Sequence, residues 1–498
     1  METIKNRICI MVLFLLFICP CLVFANNTDQ ADKYFLNHQY PSAIDEYLSA
    51  ADTKNPKAFY QLGMMYYKGL GTTSDSFKAL IWFSMAAEHN YDNSQAIVDK
   101  LIANVQLDES TQQVAALIKT SQAAFRKEIL YRKYQPLVNK NNLTKRVTFD
   151  EFDDISDVEI YSDSGIEDSL SMFMTMSSNM PNEEGFVEQD TLTGPDEFSN
   201  ATAYFLIADY DIAPDGSIRN IIHVKTSGIV ESANYGLSLN NLPKPTFNEQ
   251  QVAFINRSYL GIASYNKLRM RRNYSSFYKS IKRLAATLSA SNTAKDQYGY
   301  GMTLMNFPWL KQEDDEVEKL LKNAAENGFM LAKYEYGLKL YREQKNIEQA
   351  IYWLFEAAKG ELSQAQYRVA SLLLDSPWTI SDEKKALFWL EQAAKQDHIT
   401  AKLKSAEVKL LTNDDDLQDV EGAMRYLSEI AEQQSENPEY QYLQAIAHAK
   451  KKNRELATAV KYIRSAIKSG SGLNWDVTAW QAQLKTWTSG GNVTIQEL

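Results

Sequence analysis

Apolar and polar positions between residues 58 and 90 recur with a helical period on both sides of a glycine turn. Leu62, Tyr66, Ala79, Trp82, Phe83 and Ala86 stand three or four residues apart, flanking Gly69-x-Gly71. The pattern predicts a helix, a tight turn and a second helix, each with one apolar stripe that needs a partner. Gly63, Ala79, Ala86 and Ala87 are small, which lets two helix backbones approach closely. Gly69 and Gly71 suit the positive φ of a sharp turn, and Asp75 is placed to cap the second helix. A lone hairpin of this kind would leave both stripes in water, so neighbouring copies are expected.

The residues Leu62-Gly63, Tyr66, Gly69, Gly71, Asp75, Lys78-Ala79, Trp82 and Ala86-Ala87 together resemble the consensus of the Sel-1-like repeat, a relative of the tetratricopeptide repeat. The resemblance implies a stack of helix pairs. Residues 29–52 read as one copy upstream: Pro41 suits a first helical turn, and Ala50-Ala51 precedes Ala86-Ala87 by 36 residues. Ile97, Leu101, Val105, Val114, Leu117, Ile118 and Phe125 then fall in apolar register up to residue 136, where they would cap a first array. From residue 293 the pattern resumes. Ala324-Ala325, Ala357-Ala358, Ala393-Ala394, Ile430-Ala431 and Ala466-Ile467 mark successive second helices at intervals of 33, 36, 37 and 36. Leu321, Trp353, Trp389, Tyr426 and Tyr462, or a neighbour one place away, fill the Trp82 position as core wedges, and Gly328 and Gly360 are placed as left-handed C-terminal caps. These copies lack the Gly-x-Gly turn, so here the resemblance grades into ordinary tetratricopeptide-like pairs. Residues 475–487 read as a closing helix.

Between the arrays the period changes. Residues 148–168 are rich in acid and lack the ligand spacing of a calcium loop, so they read as a solvated acidic face or linker. Residues 202–212 alternate and are rich in β-formers. The turn Pro214-Asp215-Gly216-Ser217 leads to a second strand through Gly228, residues 231–241 suit a short helix, and residues 250–262 a third strand. This β-β-α-β order, with Leu242-Pro243-Lys244-Pro245-Thr246-Phe247 before the last strand, resembles the C-terminal domain of TonB-type proteins; an unrelated small α+β insertion is the other reading. The resemblance implies a fold and a habit of pairing a strand edge with an extended peptide. It does not extend to energy coupling, because residues 8–24 hold neither the Ser nor the His of the transducers' anchor and no Pro-rich spacer follows.

Lys5 and Arg7 precede an apolar run at residues 8–24, and Val23-Phe24-Ala25 lies before a polar stretch. This reads as a signal peptide cut after Ala25, with an uncleaved anchor as the other reading. All three cysteines, Cys9, Cys19 and Cys21, fall inside it, so the mature chain would have no disulfide and no thiolate ligand. The resemblance to TonB-type domains places such an exported chain in the periplasm of a Gram-negative bacterium. The net charge of −11 argues against nucleic acid as a partner.

One segment opposes that charge. Residues 265–284 carry Lys267, Arg269, Arg271, Arg272, Lys279, Lys282 and Arg283 with no acid among them. Pairing with the acidic stretch at 150–168 is the first reading of this strip, and contact with anionic lipid or cell-wall polymer the second. The five histidines, His38, His89, His223, His398 and His448, show no metal-ligand spacing, and no nucleophile elbow, phosphate loop or dinucleotide fingerprint occurs. No cofactor and no enzymatic activity are expected.

These observations describe a mainly α, helical-repeat solenoid in two arrays with an inserted α+β module. The segments are a signal peptide at 1–25, repeats at 26–136, an acidic linker at 137–200, the module at 201–275, repeats at 276–490 and a tail. The expected function is a protein–protein interaction scaffold whose repeat groove takes a protein or peptide. A TonB-like transport accessory is the alternative, with a cell-wall or outer-membrane component as its partner. Candidate contact residues are Tyr66, Tyr67 and Lys68 at the first turn, Tyr334, Tyr336 and Tyr341 on a first helix, and Arg269, Arg271 and Arg272 in the basic strip.

Overall fold

The computed structural model describes residues 28–104, 111–149 and 204–489. The chain divides into two compact units, residues 1–135 and 136–498. The leader at 8–24 and most of the acidic stretch lie outside the described residues.

The N-terminal unit is helical: α1 (Asp29–Leu36), α2 (Tyr40–Asp52), α3 (Pro56–Lys68), α4 (Ser76–Ala87), α5 (Ser94–Asn104) and α6 (Thr111–Lys133). Its local signals act as expected. Pro41 opens α2. Asn55 caps α3 by accepting from the backbone N–H of Lys57 at 3.0 Å, and Asp75 caps α4 by accepting from Lys78 N–H at 2.9 Å. Gly69 and Gly71 both adopt positive φ, at 68° and 73°. Gly63 lies against the Phe83 ring, where a Cβ would sit 2.9 Å from the nearest ring carbon. Trp82 is buried and stacks on Phe59 at 6.0 Å. Ile118 and Ile129 of α6 close the core formed by α2, α3 and α4. Leu117, expected inside, is exposed instead, because the face of α6 that meets the core carries Ile118, Gln122 and Ile129.

In the second unit, helices pair in sequence. They are α8 (Lys267–Asn273) with α9 (Ser275–Ser289), α10 (Ala294–Asn306) with α11 (Glu316–Glu326), α12 (Met330–Arg342) with α13 (Ile347–Lys359), and α14 (Ser363–Asp375) with α15 (Glu383–Ala394). Then come α16 (Ile399–Leu411) with α17 (Val420–Glu429) and the short α18 (Ala431–Gln434), α19 (Pro438–Lys450) with α20 (Leu456–Gly472), and the closing α21 (Thr478–Thr488). Leu321, Trp353 and Trp389 are buried wedges as their phase requires. Tyr426 and Tyr462 are only half-buried, and Leu427 and Ile463, one place on, enter the core in their stead. Gly328 has the expected left-handed geometry (φ 85°). Gly360 does not: its φ is −75°, and the positive φ falls one residue later, at Glu361 (66°). Contact explains that glycine, since a Cβ there would run into the Met330 side chain.

The module has the order strand, strand, helix, strand: β2 (Phe205–Ile212), β3 (Ile218–Ser227), α7 (Glu231–Leu239) and β6 (Phe254–Gly261). The first strand is central, in an antiparallel sheet ordered β3-β2-β6. A second small sheet joins β1 (Thr148–Phe149), β4 (Pro245–Phe247) and β5 (Gln250–Gln251). The chain just before β1 is strapped to the array. Asn139 N–H donates to Trp378 O at 2.8 Å, the Trp378 indole donates to Lys145 O at 3.1 Å, and Val147 exchanges two hydrogen bonds with the Gln344 amide at 2.8 and 2.9 Å.

Candidate functional site

A helical-repeat stack offers its first helices as one continuous face, so the contacts of α10, α12, α14, α16 and α19 decide what that face can receive. In this unit it receives the chain's own sheet. Alternation along β2 places Asp209 and Asp211 on one side of the strand. Asp209 accepts two hydrogen bonds from Arg257 of β6, at 2.6 and 2.8 Å, and Arg257 also donates to Glu335 of α12 at 3.0 Å. Arg342 stands at the C-terminus of α12, with its guanidinium 3.6 Å from Asp209.

Burial pushes the Asp209 carboxyl up, but the guanidinium of Arg257 overrides this and holds it below the usual carboxylate range. A second pair, of a fully buried arginine with a half-buried aspartate, lies beside the first. Arg368 of α14 donates to Asp211 at 2.5 Å, and the Tyr367 hydroxyl donates to the same carboxylate at 3.2 Å. Further along, Arg219 of β3 donates to Glu439 of α19 at 2.9 Å and stacks over the Trp475 ring at 4.2 Å. An aromatic cluster completes the seat: Phe254 of β6 stacks on Tyr341 at 5.8 Å, and Trp378 meets Tyr341 edge-on at 5.3 Å.

The candidate tyrosines of α12 are therefore corrected. Tyr334, Tyr336 and Tyr341 are all buried, the last under the sheet and bonded to Ser376 Oγ at 2.9 Å. They belong to the packed interior and offer no open groove. In the N-terminal unit, Tyr66 is half-buried with Lys78 over its ring, while Tyr67 is 48% exposed and Lys68 is exposed. In the basic strip, Arg269, Arg271 and Arg272 are exposed on α8, and Arg269 lies over the Tyr265 ring at 3.7 Å. Within the second unit, the tyrosines of α12 are buried and the arginines of α8 exposed, so these two groups do not form one site.

Asp209, Asp211, Arg257, Glu335, Arg342 and Arg368 are absent from the candidates that the sequence supplies. Strand alternation places the two aspartates on one face, but nothing in a single sequence pairs residues separated by 48, 78 or 157 positions. Among the described residues, no group of three or more His, Cys, Asp or Glu is arranged to hold a metal ion. His398 serves structure: its Nδ1 caps α16 by accepting from Ala401 N–H at 3.2 Å.

The sequence model of the Sel1 repeat matches residues 56–91, 329–361 and 363–398, the last two despite their missing Gly-x-Gly turn. These helix pairs are Sel1-like repeats. No curated protein matches the chain. Among solved structures, a Sel1 repeat protein from Oxalobacter formigenes is 14% identical with a TM-score of 0.31, covering 92% of this chain and 88% of that one. A protective antigen of uropathogenic Escherichia coli strains with an SLR fold is 14% identical with a TM-score of 0.32, covering 92% and 76%. Yeast Tom70 is 14% identical with a TM-score of 0.28, covering 92% and 80%.

Proposed function

We propose that this chain is a non-enzymatic, exported protein–protein interaction scaffold, and that its partner is received by the exposed face of α3 in the N-terminal unit. One observation carries the reading. Placing Gly63 on Gly337 sets Tyr60 on Tyr334, Gln61 on Glu335, Tyr67 on Tyr341 and Lys68 on Arg342. In the second unit Glu335, Tyr341 and Arg342 contact the docked sheet. In the first, Tyr67 and Lys68 are exposed, and Tyr60 and Gln61 are half-buried. The α3 face thus carries the residue types that, one array later, hold a folded element through aromatic and polar contacts. A partner with apolar and acidic groups suits Tyr67 and Lys68.

The test is a photoreactive residue in place of Tyr67 in the full chain, with Phe77 on the second helix of the same pair as the comparison. Adducts to a discrete protein are expected from position 67 and not from position 77, and Lys68→Glu should weaken them. No adduct at 67, or equal adducts at both positions, overturns the reading.

A second reading makes the module the working part, as a cell-envelope transport accessory. The strand-strand-helix-strand order and the edge position of β3 favour it. A photoreactive residue at the exposed His223 of β3 tests it: an envelope protein captured there supports this reading, and its absence removes it.

A further inference from the structure

The strip on α8 and α9 is unusual in a chain of net charge −11. Lys267, Arg269, Arg271, Arg272, Lys279, Lys282 and Arg283 are all exposed, and among the described residues none of the seven forms an ion pair. Their contacts are with rings and a hydroxyl: Arg269 over Tyr265 at 3.7 Å, Lys282 over Tyr278 at 5.9 Å, and Arg283 with Ser280 Oγ at 3.5 Å. Elsewhere in the unit, cations such as Arg219, Lys402 and Lys409 each meet two carboxylates. Among the described residues, the charge of the strip is left uncompensated.

We propose that the cationic face of α8 and α9 is the docking site of this chain's own acidic segment, residues 150–203, which lies outside the described residues. That segment holds 15 Asp and Glu in 54 residues, with no Lys, Arg or His. Its far end is fixed beside the strip. Tyr204 O accepts from Ile262 N–H at 2.9 Å, and a Cβ on Gly261 would sit 2.8 Å from the Tyr204 ring. Ile262 precedes Lys267 by only five positions. The last acid, Glu197, is seven residues before Tyr204, a reach of roughly 24 Å for extended chain. Helix α9 of 15 residues is about 22 Å long, so the acids reach the whole strip. Tethering gives the segment an effective concentration on the order of millimolar, which an outside anion must overcome.

Carbodiimide coupling of the full chain tests this, because it joins carboxylates to amines without a spacer. The segment carries no amine, so each link it makes reports another part of the chain. Links from Lys267, Lys279 and Lys282 to carboxylates within 150–203 are expected in the monomer, falling as salt is raised. Links confined to other carboxylates overturn the proposal, as do links found only between copies in a mixture of isotope-labelled and unlabelled protein. A second measurement uses the full chain with the nine acids of 150–168 changed to amides. Its binding to phosphatidylglycerol vesicles should rise several-fold as the strip is uncovered; unchanged binding overturns the proposal.

Discussion

Asp209 and Arg257 stand directly opposite each other on β2 and β6, and the guanidinium grips both carboxylate oxygens through Nε and Nη2 while the same Nη2 also donates to Glu335 on the repeat array. One cross-strand pair therefore also fastens the sheet to the helices. All three groups are buried. Arg257→Met leaves Asp209 and Glu335 buried without their main partner, and a loss of about 3–5 kcal/mol is expected in urea unfolding of the second unit. Asp209→Leu combined with Arg257→Met should cost less than the sum of the single changes, since neither then abandons a buried charge. Additive losses would show that the pair does not act as a unit.

Position 67 and position 341 are equivalent in the repeat register and opposite in burial. Tyr341→Ala removes a ring packed between Phe254 and Trp378 and should cost about 3–5 kcal/mol. Tyr67→Ala removes an exposed ring and should change stability by no more than about 0.5 kcal/mol. Thermal unfolding of the two variants checks this. Equal losses would mean that Tyr67 is structural.

The contrast also marks how far the sequence can be read. Helix pairs, the Gly69 and Gly71 turn, the Asp75 cap and the β-β-α-β order follow from local rules: period, left-handed glycine and short polar side chains at helix starts. The phase of the α12 tyrosines is equally readable, but not what they face. Tyr341 meets Phe254 and Asp211 meets Arg368 through contacts between distant parts of the chain, and periodicity says only that a side chain needs cover. Whether the cover is a partner or the same chain is a tertiary fact.

His398 gives the second unit a pH dependence that can be separated from its carboxylates. Burial, reinforced by the positive charge of Arg368, lowers its pKa to about 4, and its Nδ1 must stay unprotonated to cap α16. Stacking on Tyr367 at 5.1 Å, itself bonded to Asp211, holds the ring in place. The folded pKa lies below the unfolded value of 6.5, so the unfolded chain binds more protons between these values and stability rises with pH across that window. The loss on acidification should be on the order of 2 kcal/mol after solvent screening. His398→Asn keeps a capping side chain and removes the titration, so its stability should be flat through the window. A slope that persists in the variant would assign the effect to another group.

Gly71 and Gly69 share the same turn and the same sign of φ, yet their replacements should differ. At Gly69 an added Cβ would meet its nearest neighbour, Ser74 N, at 3.2 Å, so the main cost is the left-handed backbone, about 1–2 kcal/mol for alanine and less for asparagine. At Gly71 the Cβ would lie 2.7 Å from the Tyr40 carbonyl carbon and 2.9 Å from Pro41 N, backbone atoms that cannot swing aside. Steric cost is then added to conformational cost, and no residue with a Cβ escapes it. Gly69→Asn should thus leave unfolding of the N-terminal unit nearly unchanged, while Gly71→Asn should lower its stability by more than about 2 kcal/mol. If the two asparagine variants unfold alike, the approach of Tyr40 and Pro41 is not what selects glycine at position 71.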